Sequence, residues 1–131
     1  MKITPVEQLV EQANSQVDIW TAEKSLEQQG AGTTVLVDIR DIRELKREGK
    51  IADSVHAPRG MLEFWFDPSS QYHREVFADE DKNYVLFCAM GWRSALAAKT
   101  LMDMGFTNIG HVDGGFAALK DAGAELENSE T

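Results

Sequence analysis

The segment that most constrains the fold of this chain is Tyr84–Leu101. Its first part, Tyr84–Phe87, is a short apolar run rich in aromatic side chains, which predicts a buried strand. An Ala- and Leu-rich run that begins at Ser94 predicts a helix, and the chain's only cysteine, Cys88, falls where the strand ends. Strands and helices alternate in this way along most of the chain. This alternation predicts an α/β fold with a mainly parallel sheet and helices on both faces.

The loop between this strand and this helix carries residues that favour a bound anion. At the carboxyl end of a strand in an open α/β sheet, the next helix presents free N–H groups and the positive end of its dipole. Gly91 allows successive N–H groups to turn toward one point, and Arg93 adds a permanent positive charge. Because such groups stabilise a thiolate, the pattern predicts that Cys88 is a nucleophile. The alternative is that a lone cysteine only fills space in the core.

The segment Cys88–Ser94 resembles the active-site loop of rhodanese-like sulfurtransferases, in which Cys-x-x-Gly-x-Arg surrounds a persulfide sulfur. Three more segments are similar to the family in the same order: Val35–Arg40, which ends in Asp-x-Arg, Gly49–Pro58, and Asn108–Phe116, which contains a Gly-Gly-aromatic turn. The resemblance assigns the catalytic role to Cys88 and the substrate-binding loop to Ala89, Met90, Gly91, Trp92, Arg93 and Ser94.

The chain departs from the family pattern at three places. Lys50 stands where a histidine is usual, Asp53–Ser54 replace Pro-Gly, and Phe116 replaces the usual tryptophan. These differences change one loop and one packing aromatic, and they leave the cysteine loop complete.

The resemblance implies a rhodanese-like three-layer sandwich in a single domain over residues 1–131. It also implies a sulfurtransferase that moves a sulfane sulfur from thiosulfate or a persulfide to a thiol or cyanide, through a persulfide on Cys88. This reaction needs no cofactor. From the local pattern we expect an extra N-terminal helix at about 4–14 and a disordered acidic tail at about 124–131.

Two other functions use similar parts. Tyrosine-type phosphatases and arsenate reductases place a cysteine and an arginine around an oxyanion in a Cys-x5-Arg loop. The spacing here is Cys-x4-Arg, from Cys88 to Arg93, and the shorter loop favours a compact sulfur over a tetrahedral phosphate. The third reading is a non-catalytic or relay module that binds a protein partner.

Several residues outside the loop are candidates for supporting roles. Asp38 and Arg40 end the predicted strand Thr33–Ile39 at the same edge of the sheet as the cysteine. Asp38 would orient the loop or a basic neighbour, or would cap the next helix. Arg40 would meet the substrate or form a salt bridge with a surface acid. Arg59 is a candidate for a second anion contact. His56 has no carboxylate at a useful spacing, so we interpret it as structural.

The stretch Arg59–Pro68 is unusually rich in aromatic side chains. One interpretation is a helix packed on the sheet. The other is an apolar lip around the site, where Phe64, Trp65 and Trp92 contact a protein partner.

Composition excludes several classes of function. The formal net charge of −9 argues against nucleic acid and anionic membranes as partners. A single cysteine excludes an internal disulfide, and three isolated histidines make a metal site improbable. The start of the chain has no signal-peptide pattern, so we expect a cytoplasmic location, which suits a reduced thiol.

Overall fold

The computed structural model describes residues 1–128. Five strands form one sheet in the order β1-β6-β5-β2-β4, and every pairing within it is parallel. Two further short strands, β3 and β7, pair antiparallel. The strands are β1 (Asp18–Trp20), β2 (Thr34–Asp38), β3 (Lys50–Ile51), β4 (Val55–His56), β5 (Asn83–Phe87), β6 (Ile109–Val112) and β7 (Leu126–Glu127). The predicted α/β fold with a mainly parallel sheet is confirmed.

Helices cover both faces of the five-stranded sheet. They are α1 (Val6–Asn14), α2 (Ala22–Gly30), α3 (Ile42–Glu48), α4 (Leu62–Phe66), α5 (Trp92–Asp103) and α6 (Gly115–Asp121), with short 3-10 turns at Arg59–Met61 and Glu75–Phe77. Within the described residues, none of these helices combines the length and the apolar character needed to cross a membrane.

Alternation along β2 explains the two layers. Leu36 packs in one buried cluster with residues of α2 and α6, whereas its neighbour Val37 packs in another with residues of α4 and α5. Successive side chains of a strand point to opposite faces, so both must be apolar when both faces are covered. The same rule accounts for the buried run Tyr84–Phe87 of β5, whose side chains divide between the same two clusters.

Helix starts are encoded locally. Thr21 caps α2 by accepting a hydrogen bond from the backbone N–H of Lys24, as its position predicts. Asp41 and Glu44 form a reciprocal capping box at the start of α3. The predicted capping of this helix by Asp38 is therefore wrong, because Asp41 is nearer to the free N–H groups.

The acidic tail differs from its predicted disorder in the described part. Leu126–Glu127 pairs with Lys50–Ile51, and the Ala52 N–H donates to the carbonyl oxygen of Glu125 over 2.8 Å. The Nζ of Lys50 lies 3.2 Å from Oε1 of Glu127. Backbone pairing and this ion pair order residues that charge alone predicted to be unstructured. The rest of the expected tail, 129–131, lies outside the described residues.

Candidate active site

The sulfur of Cys88 lies at the position where the sequence of the loop predicts a bound anion. Cys88 directly follows β5, and Gly91 precedes the first residue of α5. The Sγ atom accepts hydrogen bonds from the backbone N–H groups of Gly91 at 3.1 Å and Ser94 at 3.4 Å. Gly91 has a φ of 116°, which side-chain-bearing residues rarely adopt, so glycine is what lets its N–H turn inward. Cys88 is 1% exposed, and its sulfur sits among amide donors as well as hydrocarbon.

The turn before α6 fixes the backbone of Cys88 from the other side. The Phe116 N–H donates to the carbonyl oxygen of Cys88 over 2.7 Å. A Cβ at Gly115 would lie 2.4 Å from the same oxygen, so only glycine fits there. The Gly-Gly turn found in the sequence therefore supports the cysteine directly.

Arg93 is held by an acidic residue that the sequence reading missed. Its Nη1 and Nη2 atoms donate to the two carboxylate oxygens of Glu44 at 2.8 and 3.0 Å. This pair is the main reason that the pKa of Glu44 is lowered and that of Arg93 is raised. Cys88 contributes less to the raised pKa of Arg93. The guanidinium thus stands at the loop with most of its charge compensated by α3.

Behind the sulfur, a chain of polar side chains leads away from the loop. The Oγ atom of Ser94 is 3.5 Å from Sγ of Cys88 and 3.0 Å from Nδ1 of His111. The Nε2 atom of His111 is 2.8 Å from Oδ1 of Asn14, the last residue of α1. The sequence predicts that His111 is isolated, and this prediction is wrong. The signal available was its place three residues before the Gly-Gly pair, on a strand next to the cysteine strand.

Asp38 and Arg40 form a buried pair beneath the loop. The Nε and Nη2 atoms of Arg40 donate to Oδ1 and Oδ2 of Asp38 at 3.0 and 2.9 Å, and Nη2 also donates to the Gly49 carbonyl oxygen at 3.0 Å. The guanidinium carbon of Arg40 lies 4.0 Å from the ring centroid of Phe116. Arg40 is 0% exposed, and its close partner Asp38 is buried as well. The expected pairing with a surface acid is present as a longer second contact, because Nη1 of Arg40 lies 3.9 Å from Oε1 of the exposed Glu48. Both residues support the Phe116 turn, which in turn holds Cys88.

The other predicted residues are engaged elsewhere. The Nε2 atom of His56 lies 2.7 Å from the Arg40 carbonyl oxygen, which matches its structural interpretation. Nη1 of Arg59 donates to Oε1 of Glu63 over 2.7 Å. A role for Arg59 as a second anion contact stays a prediction.

The aromatic stretch divides between core and surface. Phe66 is buried and stacks on Phe77 with ring centroids 4.3 Å apart, and Trp65 is half-buried beneath the guanidinium of Arg74. Phe64 is exposed, as are Met90 and Trp92 of the loop, at 68% and 54%. The predicted lip thus has exposed members on α4 and on the loop, while Trp65 belongs mainly to the packing.

A cavity of about 350 Å³ lies at the opposite edge of the sheet. Phe106 and Asn108 in its wall precede β6, and Ala78 and Glu80 precede β5. These positions are at the amino ends of the strands, whereas ligands of open α/β sheets bind at the carboxyl ends. The amide-lined sulfur is the better candidate site.

Comparison with known proteins identifies relatives of this chain in sequence and in fold. The family model described as Rhodanese-like domain matches residues 21–122. The thiosulfate sulfurtransferase GlpE of Pseudomonas syringae pv. syringae is 38% identical over 93 residues, which are 71% of this chain and 76% of that protein. A protein of unknown function from Rhodopseudomonas palustris, named a possible tyrosine phosphatase, is 46% identical with a TM-score of 0.88, covering 97% of this chain and 98% of its own. A rhodanese-related protein from Thermoplasma volcanium is 27% identical with a TM-score of 0.67, covering 86% of this chain and 99% of its own.

Proposed function

Since this chain belongs to the rhodanese-like domain family, we propose that it is a sulfurtransferase in which Cys88 carries the transferred sulfur. The observation that supports this most directly is the pair of backbone N–H groups, from Gly91 and Ser94, that donate to Sγ at the start of α5. Amides in this arrangement stabilise negative charge on sulfur, as an oxyanion hole does on oxygen. The relatives named thiosulfate sulfurtransferase support the same class of reaction.

The reaction proceeds in two displacements on sulfur. The Cys88 thiolate attacks the outer sulfur of the donor, the donor's S–S bond breaks, and its electron pair leaves with sulfite or a thiolate. The product is an anionic persulfide on Cys88. An acceptor thiolate or cyanide then attacks the terminal sulfur, and the electrons of the Cys88 S–S bond return to Cys88. The loop amides face negative charge at the start and end of both steps.

The pairing of Arg93 with Glu44 affects which sulfur donor the site binds best. A free guanidinium would favour dianionic thiosulfate, but Glu44 already occupies both of its Nη atoms. We therefore expect weak binding of thiosulfate and better use of a persulfide of low charge. Because Cys88 is buried, the sulfane sulfur must also lie at a narrow end of the donor molecule in order to reach Sγ.

Met90 and Trp92 suggest how a protein could deliver or collect the sulfur. Both belong to the cysteine loop and both are exposed. Exposed aromatic and methionine side chains are typical of protein contacts. A partner that covers these two residues would lie over the loop that holds Cys88.

The phosphatase reading is favoured only by the name of the Rhodopseudomonas palustris protein. Cys88 to Arg93 has one residue fewer than the Cys-x5-Arg loop, and Arg93 is paired with Glu44. Both features reduce the donors available to a tetrahedral phosphate.

The test is mass spectrometry of the protein after incubation with thiosulfate or with glutathione persulfide. We expect a mass gain of one sulfur that cyanide removes as thiocyanate. Cys88→Ser removes the chain's only thiol and should abolish the gain, while His73→Gln serves as a matched control far from the loop. Absence of an adduct with both donors would contradict the proposal. Hydrolysis of an aryl phosphate that requires Cys88 would instead support the phosphatase.

A further inference from the structure

The polar side chains behind the sulfur extend the site beyond the cysteine loop. We propose that Ser94, His111 and Asn14 form a proton relay that takes the thiol proton of Cys88 and so prepares its thiolate. Ser94 contacts the sulfur, His111 accepts the proton through Ser94, and Asn14 positions the imidazole. Asn14 precedes the family match at 21–122, so the relay draws on α1, an element outside that match.

The hydrogen bonds set the direction of the relay. Oδ1 of Asn14 can only accept, so the His111 Nε2 atom 2.8 Å away carries a hydrogen. In neutral imidazole this leaves Nδ1 as the acceptor, and the Ser94 hydroxyl 3.0 Å away donates to it. The lone pairs of Ser94 Oγ then accept the S–H of Cys88 across 3.5 Å. The Gly91 carbonyl oxygen, 3.3 Å from Oγ of Ser94, is a second acceptor for this hydroxyl, and the relay uses the shorter contact with Nδ1.

Transfer along the chain conserves every proton. The thiol proton moves from Sγ of Cys88 to Oγ of Ser94, and the hydroxyl proton moves from Oγ to Nδ1 of His111. The result is a thiolate and an imidazolium bridged by the serine hydroxyl, which now donates to sulfur. The Asn14 oxygen stabilises the imidazolium by accepting from Nε2.

The environment keeps the imidazole neutral before transfer, so that the lone pair of Nδ1 is available, while the imidazolium formed by transfer depends on the adjacent thiolate for stabilisation. His111 is buried, and burial lowers its pKa below the usual value, while Asp113 raises it by less. The neighbouring strand β5 carries no charged residue. The charged groups on the other packed elements are exposed or paired, and they are Glu7 and Glu11 of α1, Asp18 of β1, and Arg93, Lys99 and Asp103 of α5.

Alkylation of Cys88 by iodoacetamide measures the thiolate without any sulfur donor. The inference rests on the proposed function only for the use of that thiolate, so a failure of sulfur transfer and a failure of the relay are told apart. The rate at pH 7 is divided by each variant's own plateau at high pH, which removes differences in access. Circular dichroism and denaturant unfolding confirm that each variant is folded.

Opposite changes at Asn14 separate a relay from simple packing. Asn14→Asp keeps the acceptor and adds a charge that favours the imidazolium, so the normalised rate should rise severalfold. Asn14→Leu, Ser94→Ala and His111→Gln should lower it, the last two by about tenfold, the equivalent of about one pH unit. The control His73→Gln should leave it unchanged, because that ring contacts the Trp65 carbonyl oxygen elsewhere.

Asn14 is only half-buried, so we expect its variants to fold. The Asn14 variants therefore decide the test even if a change at His111 prevents folding. A rate that falls in both Asn14 variants would overturn the relay and leave a packing role. An unchanged normalised rate in Ser94→Ala would overturn it as well.

Discussion

Replacing Glu44 with glutamine tests how the loop arginine is used. Glutamine retains an acceptor for the Asp41 N–H, so the capping box of α3 survives while the charge that compensates Arg93 is removed. If a dianionic donor binds the far side of the guanidinium, the Glu44 carboxylate lies about 7 Å from it. At that distance in water, the repulsion between one charge and two is about 1 kcal/mol. Glu44→Gln should therefore lower the KM for thiosulfate about five- to tenfold.

The assay is steady-state thiocyanate formation with thiosulfate varied, at low and at high salt. Added salt should shrink the effect, because exposed charges are screened. The matched control is Asp103→Asn, which makes the same change in net charge beside Lys99, about 15 Å along α5 from Arg93. An unchanged or raised KM in Glu44→Gln would refute the reasoning and show that Glu44 acts mainly to hold the arginine in place.

Stability gives an independent check on the same pair. The folded protein lowers the pKa of Glu44 from its usual 4.5, so the pair stabilises the fold above that pH and the contribution is lost as the pH falls through the lowered pKa. At neutral pH, Glu44→Gln should reduce the free energy of unfolding by about 1 kcal/mol or less, since Arg93 is 45% exposed. The difference between wild type and variant should vanish in acid.

Three further changes test the support around the cysteine. Gly115→Ala should lower the free energy of unfolding by about 2–3 kcal/mol in denaturant titration, because residue 115 has a φ of 58° and the added methyl group would meet the Cys88 carbonyl oxygen. The control Gly30→Ala, which has open space around it, should change the free energy of unfolding by less than about 1 kcal/mol. Asp38→Asn leaves Arg40 charged and buried and should cost about 3–5 kcal/mol, part of which Arg40→Met should restore in the double variant. The lowered pKa of His111 means that the unfolded state binds more protons below its usual value of 6.5, so wild-type stability should fall as the pH drops through that range and fall less in His111→Gln.

The fold was predictable because its signals are local. Apolar runs, glycine stops and the capping residue Thr21 report on their own neighbourhoods, and the alternation of elements then leaves few topologies. The loop Cys88–Ser94 was predictable for the same reason, since the nucleophile and its amide donors are contiguous in sequence.

The partners of the loop were not predictable, because they depend on distances across the fold. Glu44 reaches Arg93 from 49 positions away, and Asn14 reaches His111 across 97. Charge composition also misled the reading of the tail, because it carries no information about the backbone groups of Lys50–Ile51 that pair with it. Asp38 and Arg40 were placed at the correct edge, but their mutual pairing depended on burial that the pattern does not reveal.

The contact between Gly115 and the Cys88 peptide sets a rule for grafting this chemistry onto other scaffolds. A transplanted seven-residue loop, Cys88–Ser94, would lack the second chain segment that fixes the carbonyl group of Cys88. Its donor N–H groups would then no longer point at the sulfur. A designer must therefore move both segments together, with the spacing between strands β5 and β6 unchanged. Libraries that randomise the loop should yield active clones only on scaffolds that already carry the second segment with its double glycine.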